Sequence, residues 1–377
     1  MATIAKILES LETIAPLQLA ESWDNVGLLM GDTQADTKTI LTCLTITKDV
    51  VEEAIREQVG LIVTHHPMMF KPVQRINTEN EEGRLLWQLA QHGIAVYSAH
   101  TAYDNAPGGI NDQLAELLGM EQVQTLIPAS ASHHYKIVVF VPEKDLHAVS
   151  TALFTSGTGV IGNYEQCSYR VTGVGTFSGN SQSKPTIGQA GRREEVTEYR
   201  LEVVCPSEKL NAALKAMRSA HSYEEPAFDV YPLHPVGKSA SGASRIGTLS
   251  RPLSPEKFAH RVSSVLKTSV TLTGDRSRKT VSRVAITCGA GGSHLNEAIR
   301  HGADAFLTGE MRFHDELAAQ AAGITVVVAG HYATERHGME MLAVILQKHL
   351  PDCRIWASCA EQNPAQWIPM QAKSSSG

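Results

Sequence analysis

The stretch Leu61–Pro67 reads L-I-V-T-H-H-P, an apolar run that ends abruptly in two histidines and a proline. The apolar part predicts a short buried strand, and Pro67 favours its end because proline cannot donate a hydrogen bond to a neighbouring strand. Two further predicted strands end in polar clusters, at His100–Asp104 and at Gly330–Glu335. Sites in open α/β sheets form at the carboxyl ends of strands, so we expect the three clusters to lie close together.

Strands alternate with helices on both sides of this stretch, which predicts an α/β domain with a mostly parallel sheet. Residues 133–234 follow a different order, β-α-β-β-α-β, which is typical of a ferredoxin-like α+β unit. We therefore expect one split α/β domain, formed by residues 1–128 and 248–372, with the ferredoxin-like unit inserted into it. The polar segment 235–247 is predicted to be a linker, and the tail 373–377 is predicted to be disordered.

The overall charge and the apolar pattern exclude several classes of protein. The chain has 377 residues, with 39 acidic and 33 basic side chains, and its formal net charge is −6. This balance argues against nucleic-acid binding but not against an anionic substrate, because bound metal can supply positive charge. No apolar run approaches the roughly 20 residues of a membrane span, and the first turns have the spacing of an amphipathic helix. Six cysteines without a C-x-x-C pair indicate reduced thiols in a cytoplasmic protein.

The three polar clusters together offer the ligand set of a metal centre. His65 and His66 are adjacent at a strand end, where each can serve one of two metals. His331 and Glu335 are spaced i, i+4, on one face of a predicted helix. With Asp104 the set has three imidazoles and two carboxylates, which suit two divalent ions sharing a bridging carboxylate better than one four-coordinate site. Zinc, manganese, iron and nickel all fit such ligands. The alternative to a metal site is that His331 and Glu335 only make contact on a helix face and that the histidines are exposed to solvent.

His100 and Glu310 are the candidate catalytic residues. His100 opens the second polar cluster, and Glu310 follows a predicted strand, where it can be a general base, a partner of a metal ligand or a helix cap. The turn Gly289–Gly292 lacks the remaining residues of a phosphate-binding motif, so we interpret it as a tight turn. Trp23 is expected either in a buried turn or in the wall of a pocket.

The chain strongly resembles the GTP cyclohydrolase type 2 homologue family, also called the NGG-interacting-factor family. The resemblance covers both halves of the split domain, in six stretches: Glu21–Gly31 (E-S-W-D-N-V-G-L-L-M-G), Leu61–Pro67, His100–Gly119, Cys288–Gly292, Ala303–His314 (A-D-A-F-L-T-G-E-M-R-F-H) and Ala329–Arg336 (A-G-H-Y-A-T-E-R). The middle unit is similar to the family's inserted domain of the PII/CutA type, including His221–Glu225 (H-S-Y-E-E).

This resemblance implies a dinuclear metal centre at five positions of the chain. They are His65, His66, Asp104, His331 and Glu335. It also implies a homohexameric, toroid-like assembly whose metal sites face an interior cavity. The chain departs from the family at Thr45 in L-T-I-T, where the family often has an aspartate in a pattern like L-D-V-T. If that aspartate orients a ligand, metal affinity or rate differs here.

These expectations combine into a cytoplasmic metal-dependent hydrolase. Its metal-bridging hydroxide would attack a small anionic or nucleotide-like substrate, and the family name suggests ring opening of GTP with release of formate. The same two-metal site would serve a phosphoesterase. A non-enzymatic metal-binding adaptor or regulatory protein is the third hypothesis, because PII/CutA-like units commonly mediate assembly and signalling.

Overall fold

The computed structural model describes residues 2–128, 134–162, 164–233, 240–274 and 277–366. The chain forms two compact units, of which the first combines residues 1–129 with 238–377 and the second contains residues 130–237. The predicted tail, residues 373–377, lies outside the described residues. Among the described helices, none has both the length and the apolar character that crossing a membrane requires.

Over residues 2–128, the first described range, the first unit has seven strands and five helices. In chain order they are β1 (Ala2–Thr3), α1 (Ile4–Ile14), β2 (Gly27–Met30), β3 (Asp36–Thr37), β4 (Thr39–Cys43), α2 (Lys48–Arg56), β5 (Leu61–Thr64), α3 (Glu81–Gln91), β6 (Ala95–Ser98), α4 (His100–Asn105), α5 (Ile110–Leu117) and β7 (Met120–Pro128).

The second unit follows, and the chain then returns to the first. The second unit contains β8 (His134–Pro142), α6 (Leu146–Thr155), β9 (Ser168–Ser178), β10 (Arg193–Pro206), α7 (Leu210–Ala220) and β11 (Phe228–Pro232). The first unit continues with β12 (Gly242–Leu253), α8 (Pro255–Leu266), β13 (Thr271–Gly274), β14 (Val281–Thr287), α9 (Leu295–Arg300), β15 (Ala305–Thr308), α10 (Phe313–Ala321), β16 (Thr325–Val328), α11 (His331–His349) and β17 (Arg354–Ala357).

The described strands of the first unit form two large sheets beside the small β1–β3 pair. The five-stranded sheet has the order β17-β4-β5-β6-β2, and only β2 is antiparallel to its neighbour. The six-stranded sheet has the order β13-β16-β15-β14-β12-β7, and its parallel pairs are β14–β15 and β15–β16. The predicted α/β class is confirmed, but the single mostly parallel sheet is wrong, since each sheet combines parallel central strands with antiparallel ones.

The antiparallel pairing of β7 with β12 follows from where the second unit is inserted. β7 ends at Pro128 and β12 begins at Gly242, and these two residues face each other in the register. The chain therefore returns beside the strand it left, as in a hairpin whose turn has been replaced by the second unit. Residues 242–247, predicted to belong to a linker, form the first half of β12 instead.

Helices α1 and α11 bury their apolar faces against the five-stranded sheet. Ile4, Ile7 and Leu11 recur at helical spacing along α1 and are fully buried in the same core cluster as strand residues of β4 to β6. The Thr3 side chain caps α1 by accepting a hydrogen bond from the Lys6 N–H at 3.3 Å. Since the middle of α11 packs in this cluster as well, its first turn is held at the carboxyl end of the sheet.

The four strands described for the second unit form one antiparallel sheet with the order β11-β8-β10-β9. Its elements follow the order β-α-β-β-α-β along the chain. Apolar residues of α6 and α7 pack on one face of this sheet, against side chains such as Val139 and Leu201. The other face carries Phe140 and Arg200, since successive residues of a strand point to opposite sides.

Candidate metal centre

Strand ends from both sheets of the first unit converge on one site. β5 leads into His65 and His66, and β6 leads into His100 at the start of α4. On the other side, β15 leads toward Glu310 and β16 leads into His331. The backbone holds these ends in line, because the His100 N–H donates to the His65 carbonyl at 3.2 Å. The structure thus brings the three predicted polar clusters together.

Glu335 lies at the centre of one group of possible metal ligands. Its Oε2 lies 3.2 Å from His66 Nε2 and 3.1 Å from His331 Nε2, and the two ring nitrogens are 3.3 Å apart. Its other oxygen, Oε1, lies 3.9 Å from His65 Nε2. His66, His331 and Glu335 could together hold one metal ion.

A second group consists of His65, His66 and His100, whose ring centroids are 5.1 to 5.7 Å apart. The two groups share His66, so this side chain lies between the two places where an ion could be held. Asp104 is not a member of either group, but its Oδ1 lies 3.7 Å from His65 Nε2. The thiol of Cys288 donates to the same oxygen at 3.3 Å.

Three of the four imidazoles are held through Nδ1 by an oxygen of another side chain. The pairs are His66 with Thr45 Oγ1 at 2.8 Å, His100 with Asp24 Oδ1 at 2.7 Å, and His331 with Glu310 Oε1 at 2.9 Å. Histidines that bind metals in proteins commonly have their other ring nitrogen fixed in this way. The arrangement leaves Nε2 of each ring available as the ligand atom.

His65 differs from the other three histidines of the site because it has no hydrogen-bond partner among the described residues. Its side chain is completely buried, and within the described part of the chain neither Nδ1 nor Nε2 is satisfied. Burial lowers the pKa of His65 well below its usual value, so the ring is neutral and can act as a ligand. A buried polar group without a partner costs about 1–3 kcal/mol, which a bound cation would offset. The donor set therefore fits a divalent ion.

The two carboxylates of the site titrate in opposite directions. Burial, and then the nearby charge of Glu335, raise the pKa of Asp104 to about 7. Burial alone would raise the pKa of Glu335 too, but hydrogen bonds from His331 and His66 outweigh it and hold that pKa far below its usual value. The hydrogen bond with Glu335 raises the pKa of His331 to about 9. Two acids in so small a space favour the binding of a cation between them.

Gly289 is a close backbone neighbour of these ligands. Its φ of +59° is a left-handed conformation that other residues rarely adopt, and its carbonyl accepts the Gly291 N–H at 3.1 Å, as expected for a tight turn. A Cβ at this position would lie 2.1 Å from Glu335 Oε1 and 3.3 Å from His331 Nε2. The turn therefore needs glycine for its conformation and for the space that Glu335 occupies.

Two interpretations of single residues change in the structure. Trp23 is 61% exposed, so the buried turn is wrong, and its ring lies 6.0 Å from that of His100. Glu310 does not cap α10, because Arg312 is the residue before that helix.

The sequence-based prediction missed Asp24, which accepts a hydrogen bond from His100 and accepts from both the N–H and the hydroxyl of Thr101. Its only signal was its place next to Trp23 in the W-D-N turn.

The fold and the site define a class of proteins: two-sheet α/β units in which histidines and carboxylates gather at the ends of parallel strands. The family model of Duf34/NIF3 (NGG1p interacting factor 3) matches residues 2–364. The chain belongs to this family, and the resemblance inferred from its motifs is confirmed.

Similar sequences and solved structures agree with this assignment. The protein called GTP cyclohydrolase 1 type 2 homolog in Bacillus subtilis is 36% identical over 87% of this chain and 88% of its own. Its counterpart in Halalkalibacterium halodurans is 33% identical over 96% and 98%. A crystal structure of a Bacillus cereus protein related to NIF3 matches with a TM-score of 0.67 and 32% identity, covering 97% of this chain and 99% of that one. The Staphylococcus aureus protein SA1388 matches over the same shares, with a TM-score of 0.77 and 28% identity.

Proposed function

We propose that the chain is a hydrolase that depends on two divalent metal ions and acts on a nucleotide-like substrate. The proposed ligands are His65, His66, Asp104, His331 and Glu335. The observation that carries the proposal is His65, which is fully buried beside two carboxylates and has no hydrogen-bond partner among the described residues. A bound metal ion that accepts the electron pair of the His65 imidazole would explain its position.

The proposal of two ions is supported by His66, which belongs to both groups of possible ligands, and by Asp104, which lies 3.7 Å from His65 Nε2 and would take the place of His100 in the second group. Five donors in one buried site exceed what one four-coordinate ion with an open position uses. When bound, two such ions supply Lewis acidity and make a nucleophilic water available at neutral pH. The carboxylates of Asp104 and Glu335 would balance part of the positive charge and leave a surplus that favours an anionic substrate.

Asp24 and His100 provide a group that can hold a proton at the edge of the site. Burial alone would raise the pKa of Asp24, but hydrogen bonds from His100 and Thr101 outweigh it and lower that pKa to about 2. Asp24 is therefore ionised at neutral pH and keeps the proton on His100 Nδ1. Burial would lower the pKa of His100, but the hydrogen bond to Asp24 outweighs it and raises that pKa. His100 is thus suited to act as a general acid.

Glu310 has a different part in the proposed site. Its carboxylate accepts from His331 Nδ1 at 2.9 Å while its side chain stays largely exposed. A carboxylate in that position orients the imidazole and increases its basicity as a ligand. We therefore propose Glu310 as the residue that positions His331, with general-base catalysis as its alternative role.

Two exposed aromatic side chains support a substrate with a flat ring. Trp23 and Phe70 are 61% and 52% exposed, their centroids are 6.0 Å apart, and both rings lie beside His100. The loops that carry them are joined, because the Asn25 side chain donates to the Met69 carbonyl at 2.5 Å. Exposed aromatic rings of this kind stack on nucleobases. The name of the bacterial relatives makes GTP the first substrate to test.

Metal content and product analysis test the proposal together. Protein purified without added metal is analysed for bound elements, then incubated with GTP and other nucleotides, and formate and phosphate are measured separately. We expect about two ions per chain and turnover that is lost in His65→Ala but kept in the control His349→Ala, whose histidine is exposed at the end of α11. Release of phosphate without formate would show that the protein is a phosphoesterase and does not open the purine ring. Metal binding without turnover of any nucleotide would favour a non-enzymatic adaptor.

We also propose that the second unit is of the PII/CutA type and that the chain forms a homohexamer. The element order and the antiparallel sheet of the second unit support the first statement. The second rests on the family alone and stays a prediction. Light scattering on the purified protein tests it, and a mass equal to one or two chains would contradict it.

A further inference from the structure

The second unit contains a cavity of about 590 Å³, which is the size of a small-molecule site. It lies on the sheet face that α6 and α7 leave uncovered, since its lining includes Phe140 and Arg200. The loop between β9 and β10 closes one side. It is held there because the Lys184 N–H donates to the Glu224 carboxylate at 3.1 Å and the Thr186 hydroxyl donates to the Ser222 carbonyl at 2.7 Å.

Within the described residues, Glu198 is a buried acid of the lining that forms no ion pair. The residue is only 9% exposed and lines the cavity, where the Tyr223 hydroxyl is a neutral hydrogen-bond partner of its carboxylate and no cationic side chain among the described residues forms an ion pair with it. Arg200, the cationic side chain among the described lining residues, is engaged with Glu202 at 2.9 Å. Glu224 and Glu225 add acidic groups at the same cavity. The site therefore has a surplus of negative charge around a buried carboxylate, which costs free energy unless a cation is bound.

Two glycines make room for this carboxylate on the sheet. Gly173 faces Glu198 directly in the register of β9 and β10, and a Cβ there would meet open space. Gly175 lies two residues further on the same face, where a Cβ would stand 2.2 Å from Glu198 Oε2. Larger residues at these positions would fill the cavity floor or displace the carboxylate. The backbone of Gly173 and Gly175 thus forms the floor of the cavity, and the lack of side chains there leaves the space open.

The H-S-Y-E-E stretch forms another wall, and a histidine fixes it. His221 Nε2 lies 3.0 Å from the Phe140 carbonyl, and its Nδ1 accepts the Tyr223 N–H at 3.0 Å. Since Nδ1 accepts, Nε2 must carry the proton and donate. This anchor places Tyr223 in the lining, where its buried hydroxyl lies beside the Glu198 carboxylate as its hydrogen-bond partner.

We propose that this cavity binds a small organic cation, a protonated amine on an aryl or alkyl body. The ammonium group would pair with Glu198 and donate to the Tyr223 hydroxyl. The body would lie against the mainly apolar lining, which includes Val171, Phe177 and Ile187. The proposal is independent of the metal centre, because every residue it uses belongs to the second unit.

Calorimetric titration of the full chain tests this with amines and their neutral counterparts. The probes are tryptamine, phenethylamine and hexylamine, each compared with the alcohol of the same shape. We expect the amines to bind roughly tenfold or more tightly than the alcohols, and Glu198→Gln to remove that preference, because breaking a buried charge pair is costly. Glu195→Gln is the matched control, since it removes the same charge from an exposed position of β10 outside the cavity.

Gly173→Val adds a steric test that leaves the carboxylate in place. It should weaken amine binding at least as much as Glu198→Gln, with a melting temperature near that of the wild type because the added methyl groups enter open space. Equal affinity for amines and alcohols, unchanged binding in Glu198→Gln, or no binding of any amine at millimolar concentration would overturn the proposal. A change of oligomeric mass in Gly173→Val without an effect on amines would also overturn it and make this face a contact between copies of the chain.

Discussion

Replacing Gly289 by alanine tests whether Glu335 is a metal ligand without changing any proposed ligand. The new Cβ would stand 2.1 Å from Glu335 Oε1, whereas ordinary contacts begin near 3.4 Å. The carboxylate must therefore retreat by about 1.3 Å or the turn must shift by a similar amount. A displacement of this size is more than half of a typical metal–oxygen bond of roughly 2.0–2.2 Å, so the ligand cannot keep its place.

Gly289→Ala should also lose unfolding free energy because alanine is strained in this backbone conformation. The variant Gly302→Ala serves as a control that measures this loss separately. Gly289 has φ +59° and Gly302 has φ +67°, but a Cβ at Gly302 meets nothing within 4 Å. Both alanine variants should lose about 1–2 kcal/mol of unfolding free energy through left-handed strain. Only Gly289→Ala should lose metal affinity, by at least 10- to 100-fold, since even changes to groups behind the ligands have effects of that size.

Competition with a coloured chelator measures the affinity, and thermal unfolding of the metal-free proteins measures the strain. Unchanged affinity in Gly289→Ala, with a loss of stability equal to that of Gly302→Ala, would show that Glu335 does not bind the metal. Equal losses of affinity in both variants would show that stability, and not the position of the carboxylate, controls metal binding.

Three further changes have outcomes that follow from single contacts. Thr45→Val removes the oxygen 2.8 Å from His66 Nδ1 and should weaken metal binding roughly 10- to 100-fold in the chelator assay, whereas Thr45→Ser should keep it. Asp24→Asn should remove the proton-holding state of His100 and shift the alkaline limb of a pH–rate profile to lower pH, while metal content stays at the wild-type value. Glu53, whose carboxylate accepts four hydrogen bonds near the C-terminal strand, should lose about 2–4 kcal/mol of stability on change to Gln, measured by urea unfolding. Burial would raise the pKa of Glu53 but those hydrogen bonds lower it, so its stabilisation is present above the unfolded value near 4.5 and is lost as pH falls below it.

The ends of the parallel strands were predictable because a local signal marks each of them. Leu61–Thr64 is a strand with all four residues buried, and the two histidines follow directly, as the apolar run and Pro67 predicted. The spacing of His331 and Glu335 predicted a shared face at the start of a helix, and α11 begins at His331. Where a motif lies at the end of a short buried strand, the sequence contains both its position and its direction.

The groups that support the site were not predictable, because they come from distant parts of the chain. Asp24 lies 76 residues before His100, and Glu310 lies in the loop between β15 and α10, 21 residues before His331. The two-sheet arrangement was missed for a related reason. The return of β12 beside β7 is a pairing across more than 100 residues, and no local pattern encodes such a register.

Asn111 shows how the two sheets are tied together at the site. Its Oδ1 accepts the Cys288 N–H at 2.9 Å, and its Nδ2 donates to the Asp104 carbonyl at 3.2 Å. The side-chain amide of Asn111 thus links α4, which carries Asp104, to the start of the Gly289–Gly292 turn beside Glu335. Since Cys288 also donates to the Asp104 carboxylate, that acid is positioned from the six-stranded sheet although it follows a strand of the other. The proposed ligands are therefore placed by contacts between the sheets, and a cation bound among them would in turn hold the sheets together.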